Sequence, residues 1–149
     1  MIDFDLAHRR LHSQSIIPAN GEPPEAIVRR LGAVQAQDYT SALWAVGLRV
    51  KTATQQTIEQ ALSDRKIIRT WPMRGTLHFV APADVRWMLA LLTPRIMARA
   101  GQRHRQLELD DATFARAETL FASALEGGRQ LTRYEMLAVL EQDGIATAG

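Results

Sequence analysis

Cysteine is absent from the 149-residue sequence. Its absence excludes a disulfide framework, a thiolate metal site and a cysteine nucleophile together. The sequence also lacks the basic stretch and long apolar run of a secretory signal peptide. Its longest apolar stretch, Trp87–Leu92, is far too short to cross a bilayer. We therefore expect a protein of the reducing cytoplasm that has no membrane partner.

Lysine is scarce as well, because 16 of the 18 basic residues are arginine and only Lys51 and Lys66 remain. An amine nucleophile for Schiff-base chemistry therefore has few candidates. Gly-rich phosphate loops, His-Glu-x-x-His and Gly-x-Ser-x-Gly are all missing from the sequence. His8 and His12 are four residues apart, but no further cluster completes a metal site, so we interpret them as surface or capping residues. We expect no metal and no cofactor.

What is present fits an ordinary globular protein. Hydrophobic residues make up 46% of the sequence and charged residues 23%, so a core can form without disulfides or metal ions. The length suits one domain, or one domain and part of another.

Positive charge is concentrated in the middle of the sequence. The formal net charge is only +2, yet residues 65–107 hold nine Lys and Arg against a single acid, Asp84. A segment of this kind is the electrostatic footprint of a polyanion partner. Arginine's planar fork suits phosphate and guanine better than lysine does. A high-GC genome would explain arginine in place of lysine, but not the clustering.

The order of predicted elements indicates a winged helix. Helical spacing and caps predict helices over residues 3–13, from Pro24 to about Val34, over Ser41–Arg49, and from an N-cap at Thr54 to about Asp64. Two β-prone runs follow, Ile67–Trp71 and Thr76–Val80, with a turn at Pro72–Gly75 between them. The helix that Thr54 caps would be the recognition helix and the hairpin would be the wing. We predict a mainly helical protein with a small β hairpin.

Further helices are predicted after the hairpin. Pro82 opens one helix, and Thr93–Pro94 restarts the chain as a new one. A capping box at Thr132–Glu135 begins the last helix. We predict a first winged-helix module over residues 1–81, a helical connector over 82–128, and the start of a second helix-turn-helix over 129–149 that is cut short.

Gln35-Ala36-Gln37 is the most unusual local feature of the sequence. In an extended conformation the two glutamines project on the same side, so their carboxamides could hold a water molecule between them. Glutamine has no useful pKa, so neither residue is a general base. The alternative is that the segment only caps a helix end or fills a polar position.

Arginines in two places are candidates for contact with a polyanion. Arg69 and Trp71 should share one side of the first strand, and a basic, aromatic hairpin suits insertion at a DNA groove. The alternative is that Trp71 packs on the domain and the arginines are solvated. A second set lies at four-residue intervals with no acid on the same helix, which favours phosphate contact over a solvated face. The predicted DNA-binding residues are Arg69, Arg74, His78, Arg95, Arg99 and Arg103.

Several motifs together resemble a bacterial family, the tandem winged-helix DNA glycosylases of the azinomycin-resistance and crosslink-repair type (AlkZ-like). The motifs are Leu31-Gly-Ala-Val-Gln35-Ala-Gln37-Asp38, Ala42-Leu-Trp44, Leu48-Arg49, Arg69-Thr-Trp71 and Arg74-Gly-Thr-Leu-His78. They run through most of residues 24–100 in the family's order and spacing. Family members have three winged-helix modules that curve around DNA. The resemblance thus implies that this chain holds the first module and the start of the second.

The resemblance also implies a reaction. The family carries a Gln–apolar–Gln or Gln–apolar–Asp signature at its active site, and Gln35-Ala36-Gln37 is similar to the first version. This implies hydrolysis of the N-glycosidic bond of an alkylated (N7-type) or crosslinked purine in double-stranded DNA. Gln35 and Gln37 would be the catalytic residues, and the role of Asp38 is open. We expect a nucleoid-associated monomer, and we expect this fragment to be inactive without the later modules.

Two other functions are compatible with the sequence. A winged helix with a basic segment also suits a non-catalytic regulator that binds a specific DNA sequence. The acidic final third of the chain would suit a domain that docks a protein partner. Fold alone does not decide among these functions.

Overall fold

A computed structural model describes residues 4–17 and 21–147. The chain divides into two compact units, Met1–Ile96 and Met97–Gly149. Among the described residues, no helix has both the length and the hydropathy needed to cross a membrane.

The first unit combines short helices with a small antiparallel sheet, which confirms the predicted fold class. In chain order its complete elements are α1 (Phe4–Ser13), α2 (Pro24–Leu31), β1 (Ala33–Gln35), α3 (Tyr39–Gly47), α4 (Gln55–Ser63), β2 (Ile68–Met73) and β3 (Thr76–Val80). Helix α5 (Pro82–Gln106) begins in this unit. The described strands are ordered β1-β3-β2, so β3 is central and the other two are edges.

Strand β1 was not predicted, and it corrects the assignment of Val34 to a helix. Gly32 ends α2 with a φ of +75°, and its amide donates to the Arg29 carbonyl. Glycine adopts this left-handed conformation without penalty, so the helix stops there and the chain turns into an extended segment. Val34 then pairs with Phe79 on β3, and the hairpin becomes a three-stranded sheet.

The hairpin turn is shorter than predicted. Pro72 and Met73 belong to β2, which is irregular between Thr70 and Met73. An edge strand tolerates proline at such a bulge because no ladder bond needs its missing N–H. The turn itself is Arg74–Gly75, and both residues have positive φ, +52° and +68°. Two left-handed residues between paired strands make a type I′ turn.

The core of the first unit joins the sheet to the helices. Phe79 is fully buried, and its ring meets the Tyr39 ring edge-on with the centroids 6.2 Å apart. The other buried members of this core are Val28, Ala36, Ala42, Leu43, Val46, Ile58, Ala61 and Ile67. The buried side chains of Ala36 and Ala42 therefore anchor the segment that connects β1 to α3. The polar residues between these two alanines are exposed.

The helix caps predicted at Thr54 and Thr132 are confirmed. Thr54 caps α4 through a capping box with Thr57, and Asp64 ends that helix. Thr132 and Glu135 form the predicted capping box of the last helix. These signals depend only on neighbouring residues, which is why the sequence reveals them.

The predicted break at Thr93–Pro94 is wrong, because α5 continues through Pro94 to Gln106. Proline lacks the N–H for one backbone bond and crowds the preceding turn. The long helix accommodates that local disruption. The division between the two units falls within α5, after Ile96.

Among the described residues, the second unit holds the end of α5, two more α-helices and a short 3-10 helix between them, Glu126–Gly128. The two α-helices are α6 (Asp111–Ala124), which Asp110 caps, and α7 (Arg133–Gln142). Arg116 on α6 pairs with Asp143 just after α7. Two consecutive helices that pack together suit the start of a helix-turn-helix, but the domain limits proposed from the sequence stay a prediction. Residues 148 and 149 of the last proposed segment lie outside the described range.

Candidate active site

The segment Gln35-Ala36-Gln37 lies where β1 separates from β3. The Ala36 amide donates the last backbone bond to the Leu77 carbonyl at 2.7 Å. The reciprocal bond is replaced, because the Leu77 amide donates to Oε1 of Gln37 at 3.1 Å. Gln37 is therefore part of the sheet edge through its side chain.

Arg69 also binds the backbone of this segment. From β2 it reaches across β3 to the Ala36 carbonyl, which accepts from its Nε at 3.1 Å and its Nη2 at 2.9 Å. Nη2 also donates to the Gln37 carbonyl at 3.4 Å. The guanidinium carbon lies 5.4 Å from the centroid of the Tyr39 ring, in a cation–π contact. Arg69 thus fixes the backbone between the two glutamines.

The Asp38 side chain has a structural role at the start of α3. Its Oδ1 accepts from the Ser41 amide at 2.7 Å, which makes it the N-cap of α3. Hydrogen bonds from the Ser41 side chain and backbone, with a smaller effect of the Arg69 charge, lower the pKa of this carboxyl below its ordinary value. The ionised carboxylate is held against the helix terminus.

The two carboxamides are not equivalent. Both glutamines are exposed, but Oε1 of Gln37 is occupied by the Leu77 amide. Its Nε2 donors and the whole Gln35 carboxamide make no hydrogen bond with any described residue. The predicted water-holding pair keeps donors from both residues, a fully free acceptor on Gln35 and one remaining lone pair on Oε1 of Gln37. That role stays a prediction.

His78 lies on β3 between Gln35 on β1 and Thr70 on β2. Only 4% of the residue is exposed, and its Nδ1 is 2.9 Å from the Thr76 carbonyl. The sequence placed His78 in the wing as a DNA contact, and that role is untested. Its position beside Gln35 was missed, because a third strand had to be recognised before the pairing could be seen.

The hairpin tip presents the residues expected of a wing. Trp71 is 58% exposed, so it does not pack away on the domain. Arg74 is exposed in the turn and pairs with no side chain in the described ranges. The tip therefore offers a free guanidinium near an exposed indole.

The remaining predicted DNA-binding residues lie on α5. Arg95 belongs to the first unit, and Arg99 and Arg103 belong to the second. All three are exposed, and none has a carboxylate partner in the described part of the chain. Their prediction as phosphate contacts is untested.

Helix α4 differs sharply from these arginines. Its sequence, QQTIEQALS, has no basic residue. Gln55 donates to Glu59 at 2.9 Å, and Gln60 donates to Asp64 at 2.8 Å. The helix predicted to read DNA therefore has no cation, and two of its three glutamines are engaged within the helix and its C-cap.

Comparisons with known proteins agree on one family. A family model described as "DNA glycosylase AlkZ-like" matches residues 28–148. The chain is similar to the interstrand DNA cross-link repair glycosylase of Streptomyces sahachiroi, with 31% identity over 83 residues, or 56% of this chain and 22% of that protein. It is also similar to the solved structure of the DNA glycosylase AlkZ from the same organism, with a TM-score of 0.74 and 28% identity over 91% of this chain and 36% of the other. The chain thus spans well under half the length of these relatives.

Proposed function

The chain belongs to the AlkZ-like DNA glycosylase family, and on this premise we propose that the protein hydrolyses the N-glycosidic bond of alkylated or crosslinked purines in double-stranded DNA. Gln35 and Gln37 form the reactive centre in this proposal. The observation that carries it is the sheet edge, where Arg69 fixes the Ala36 carbonyl and Leu77 fixes the Gln37 side chain while the Gln35 carboxamide stays unoccupied.

The proposed reaction needs little catalytic assistance from the protein. Alkylation at N7 makes the purine cationic, so the base leaves readily as the C1′–N9 electron pair moves onto it. The protein then has to orient a water molecule towards C1′ and stabilise a sugar with oxocarbenium character. Carboxamides can donate to and accept from a water without a proton transfer of their own. A glutamine fixed at the sheet edge, Gln37, beside a glutamine with an unoccupied carboxamide, Gln35, suits this task.

Exposed arginines supply the attraction to DNA in this proposal. Arg74 at the hairpin tip and Arg95, Arg99 and Arg103 on α5 are free to contact phosphates, which fix position without reading sequence. Trp71 is available to stack at a distorted step. A genomic DNA substrate would place the protein in the cytoplasm, on the nucleoid. We propose that it acts as a monomer.

A sequence-specific regulator is the second candidate, and α4 argues against it. A recognition helix reads bases with Arg, Lys, Asn or Gln side chains presented to the major groove. Here Gln55 and Gln60 donate to Glu59 and Asp64, which leaves Gln56 as the exposed amide on the helix without a hydrogen bond to a described residue. The helix also has no basic residue that could contact the phosphates flanking the groove.

Base release from a defined lesion tests the proposal. The full-length protein is incubated with a duplex that contains one N7-methylguanine, and with the same duplex unmodified. We expect time-dependent release of the methylated base above the spontaneous rate in a protein-free sample, and none from unmodified DNA. Absence of release, together with binding of one sequence ~10³-fold tighter than random duplex, would establish the regulator instead.

A further inference from the structure

We infer that His78 is the proton acceptor for the attacking water, acting beside Gln35. This inference rests on the proposed glycosylase function and deepens it, because neither glutamine can take the proton that the water loses. It arises from the pairing of β1 with β3, from the hydrogen bond of the imidazole, and from the other groups around the segment.

The strand pairing places the two side chains together. Ala36 donates its backbone bond to Leu77, and Gln35 pairs with His78 one position earlier. Hydrogen-bonded and non-hydrogen-bonded pairs alternate in an antiparallel ladder, so Gln35 and His78 are a non-hydrogen-bonded pair. In such pairs the Cα atoms are only about 4.5 Å apart and the side chains approach on one face. The His78 imidazole and the Gln35 carboxamide thus start from neighbouring positions.

The imidazole is held in one tautomer. The Thr76 carbonyl, 2.9 Å from Nδ1, can only accept a hydrogen bond, so Nδ1 carries the proton. Nε2 of the neutral ring then carries a lone pair. This is the arrangement by which a backbone carbonyl orients a histidine base.

The Nε2 atom of His78 has no hydrogen-bond partner among the described residues, and it is not completely buried. Every fully buried side-chain nitrogen or oxygen in the described ranges does have a partner, so Nε2 must reach the surface. Only 4% of the residue is exposed, so the lone pair opens through a narrow gap. A water molecule that also contacts Gln35 could reach it there.

The other ionisable groups near the segment are unsuited to this role. The Asp38 carboxylate is engaged by Ser41, which lowers its pKa and weakens it as a base. Arg69 is permanently protonated and projects from the opposite face of the sheet, since it pairs with Phe79 and not with His78. Thr70, the other neighbour of His78, is uncharged. His78 is the base that remains.

The step balances without any further reactant. The water oxygen forms a bond to C1′ while the C1′–N9 bond breaks, and the electron pair of that bond neutralises the cationic purine. One water proton passes to Nε2 of His78, which becomes an imidazolium and later releases the proton to solvent. The products are the free base and an abasic sugar.

The test compares His78→Asn with His104→Asn in the full-length protein. Asparagine can keep the donor to the Thr76 carbonyl while removing Nε2. His104 lies in the second unit, edge-on to Phe114, and serves as the matched control. We expect His78→Asn to lower the single-turnover rate of base release, measured at saturating folded protein, about 10²-fold. His104→Asn should keep the wild-type rate.

Two further measurements keep the inference separate from folding and from the proposed function. A Gln35→Ala, His78→Asn variant should be no slower than the worse single variant, because the two groups act on one water. Nitrogen-15 NMR of the wild type should show that the neutral His78 imidazole carries its proton on Nδ1 and not on Nε2. An unchanged rate in His78→Asn, or a neutral imidazole protonated on Nε2, overturns the inference while glycosylase activity stands. A wild-type protein that releases no base overturns the proposed function, and this inference with it.

Discussion

At the scale of single residues, two arginines of the hairpin use their charge differently. The Arg69 guanidinium donates to the carbonyls of Ala36 and Gln37 and lies over the Tyr39 ring. Arg74 is exposed at the tip. A planar fork that donates from two nitrogens cannot be replaced by lysine's single ammonium. Arg69 is therefore a positioning residue, whereas Arg74 is available to DNA.

Arg69→Lys should separate these two roles. Because lysine keeps the charge but not the paired donors, we expect the single-turnover rate of base release to fall at least about 10-fold, with little change in DNA affinity. Arg74→Ala is the control, and should weaken binding without lowering the rate at saturating protein. The reverse pattern, with weakened affinity in Arg69→Lys and the rate intact, would place Arg69 on the DNA.

Asp38 predicts a pH dependence of stability. Its pKa is lowered in the folded protein by Ser41, so the folded state binds fewer protons here than the unfolded state does. The stabilisation is therefore complete above the unfolded pKa and is lost as pH falls through the folded value. Urea unfolding should show Asp38→Ala to be destabilised near neutral pH, with a difference from wild type that narrows below about pH 4.

Asp38→Asn is the matched control for this prediction. Asparagine also caps helices but does not titrate in this range, so its difference from Asp38→Ala should persist into acid. If the loss in free energy of unfolding caused by Asp38→Ala does not change with pH, the carboxylate charge contributes nothing to stability.

Single-residue roles were predictable from the sequence only in part. The spacing of Gln35 and Gln37, with the family resemblance, singled out both glutamines. No local pattern brings His78 or Arg69 to them, because those contacts need strands that are more than 30 residues apart in the chain. Long-range pairing has no local signal of its own.

At the scale of elements, the wing tip holds arginine in an unusual conformation. Arg74 and Gly75 have φ values of +52° and +68°. Type I′ turns favour Asn-Gly, and a left-handed conformation costs an ordinary residue roughly 1–2 kcal/mol. Arg74 therefore has a strained backbone conformation at a position where asparagine would be more stable. This is expected if the charge of Arg74 has a function.

Substitutions in the turn should show this compromise. Gly75→Ala should lower the free energy of unfolding by roughly 1 kcal/mol from conformation alone, because a Cβ there meets nothing within 4 Å. Arg74→Asn should maintain or raise stability while weakening DNA binding. Chemical denaturation and fluorescence anisotropy measure the two quantities. A loss of stability in Arg74→Asn would contradict the assigned turn.

The capped helices and the two hairpin strands were predictable from the sequence, but the short strand β1 and the positions of two prolines were not. The caps at Thr54 and Thr132 lie within three residues of their partners, so short sequence patterns reveal them. Strand β1 has only three residues and depends on β3 for its hydrogen bonds. Pro72 and Pro94 both lie inside elements that they were expected to end, because the surrounding structure outweighs a local preference.

At the scale of the whole molecule, charge should govern DNA affinity. Removing one arginine–phosphate interaction should reduce the slope of log affinity against log salt by about 0.9. An Arg95, Arg99 and Arg103 triple alanine variant should therefore bind less tightly at low salt and show a flatter salt dependence than wild type. Affinity that does not weaken from low to moderate salt would contradict the proposed phosphate contacts.

The chain corresponds to only part of the length of the relatives it matches. It spans 36% of the AlkZ structure it resembles, while 91% of the chain is matched. The paired glutamines lie within the matched residues 28–148. The complete DNA-binding surface is therefore best assayed in the full-length protein, where the proposed reactive centre can be tested with it.

The most direct measurement is single-turnover base release by a Gln35→Ala, Gln37→Ala variant of the full-length protein on N7-methylguanine DNA, with Arg74→Ala as control. We predict that the double variant still binds the duplex but releases the base at least about 10²-fold more slowly. The control should reach the wild-type rate at saturating protein. A wild-type rate in the double variant would contradict the assignment of the reactive centre to this sheet edge.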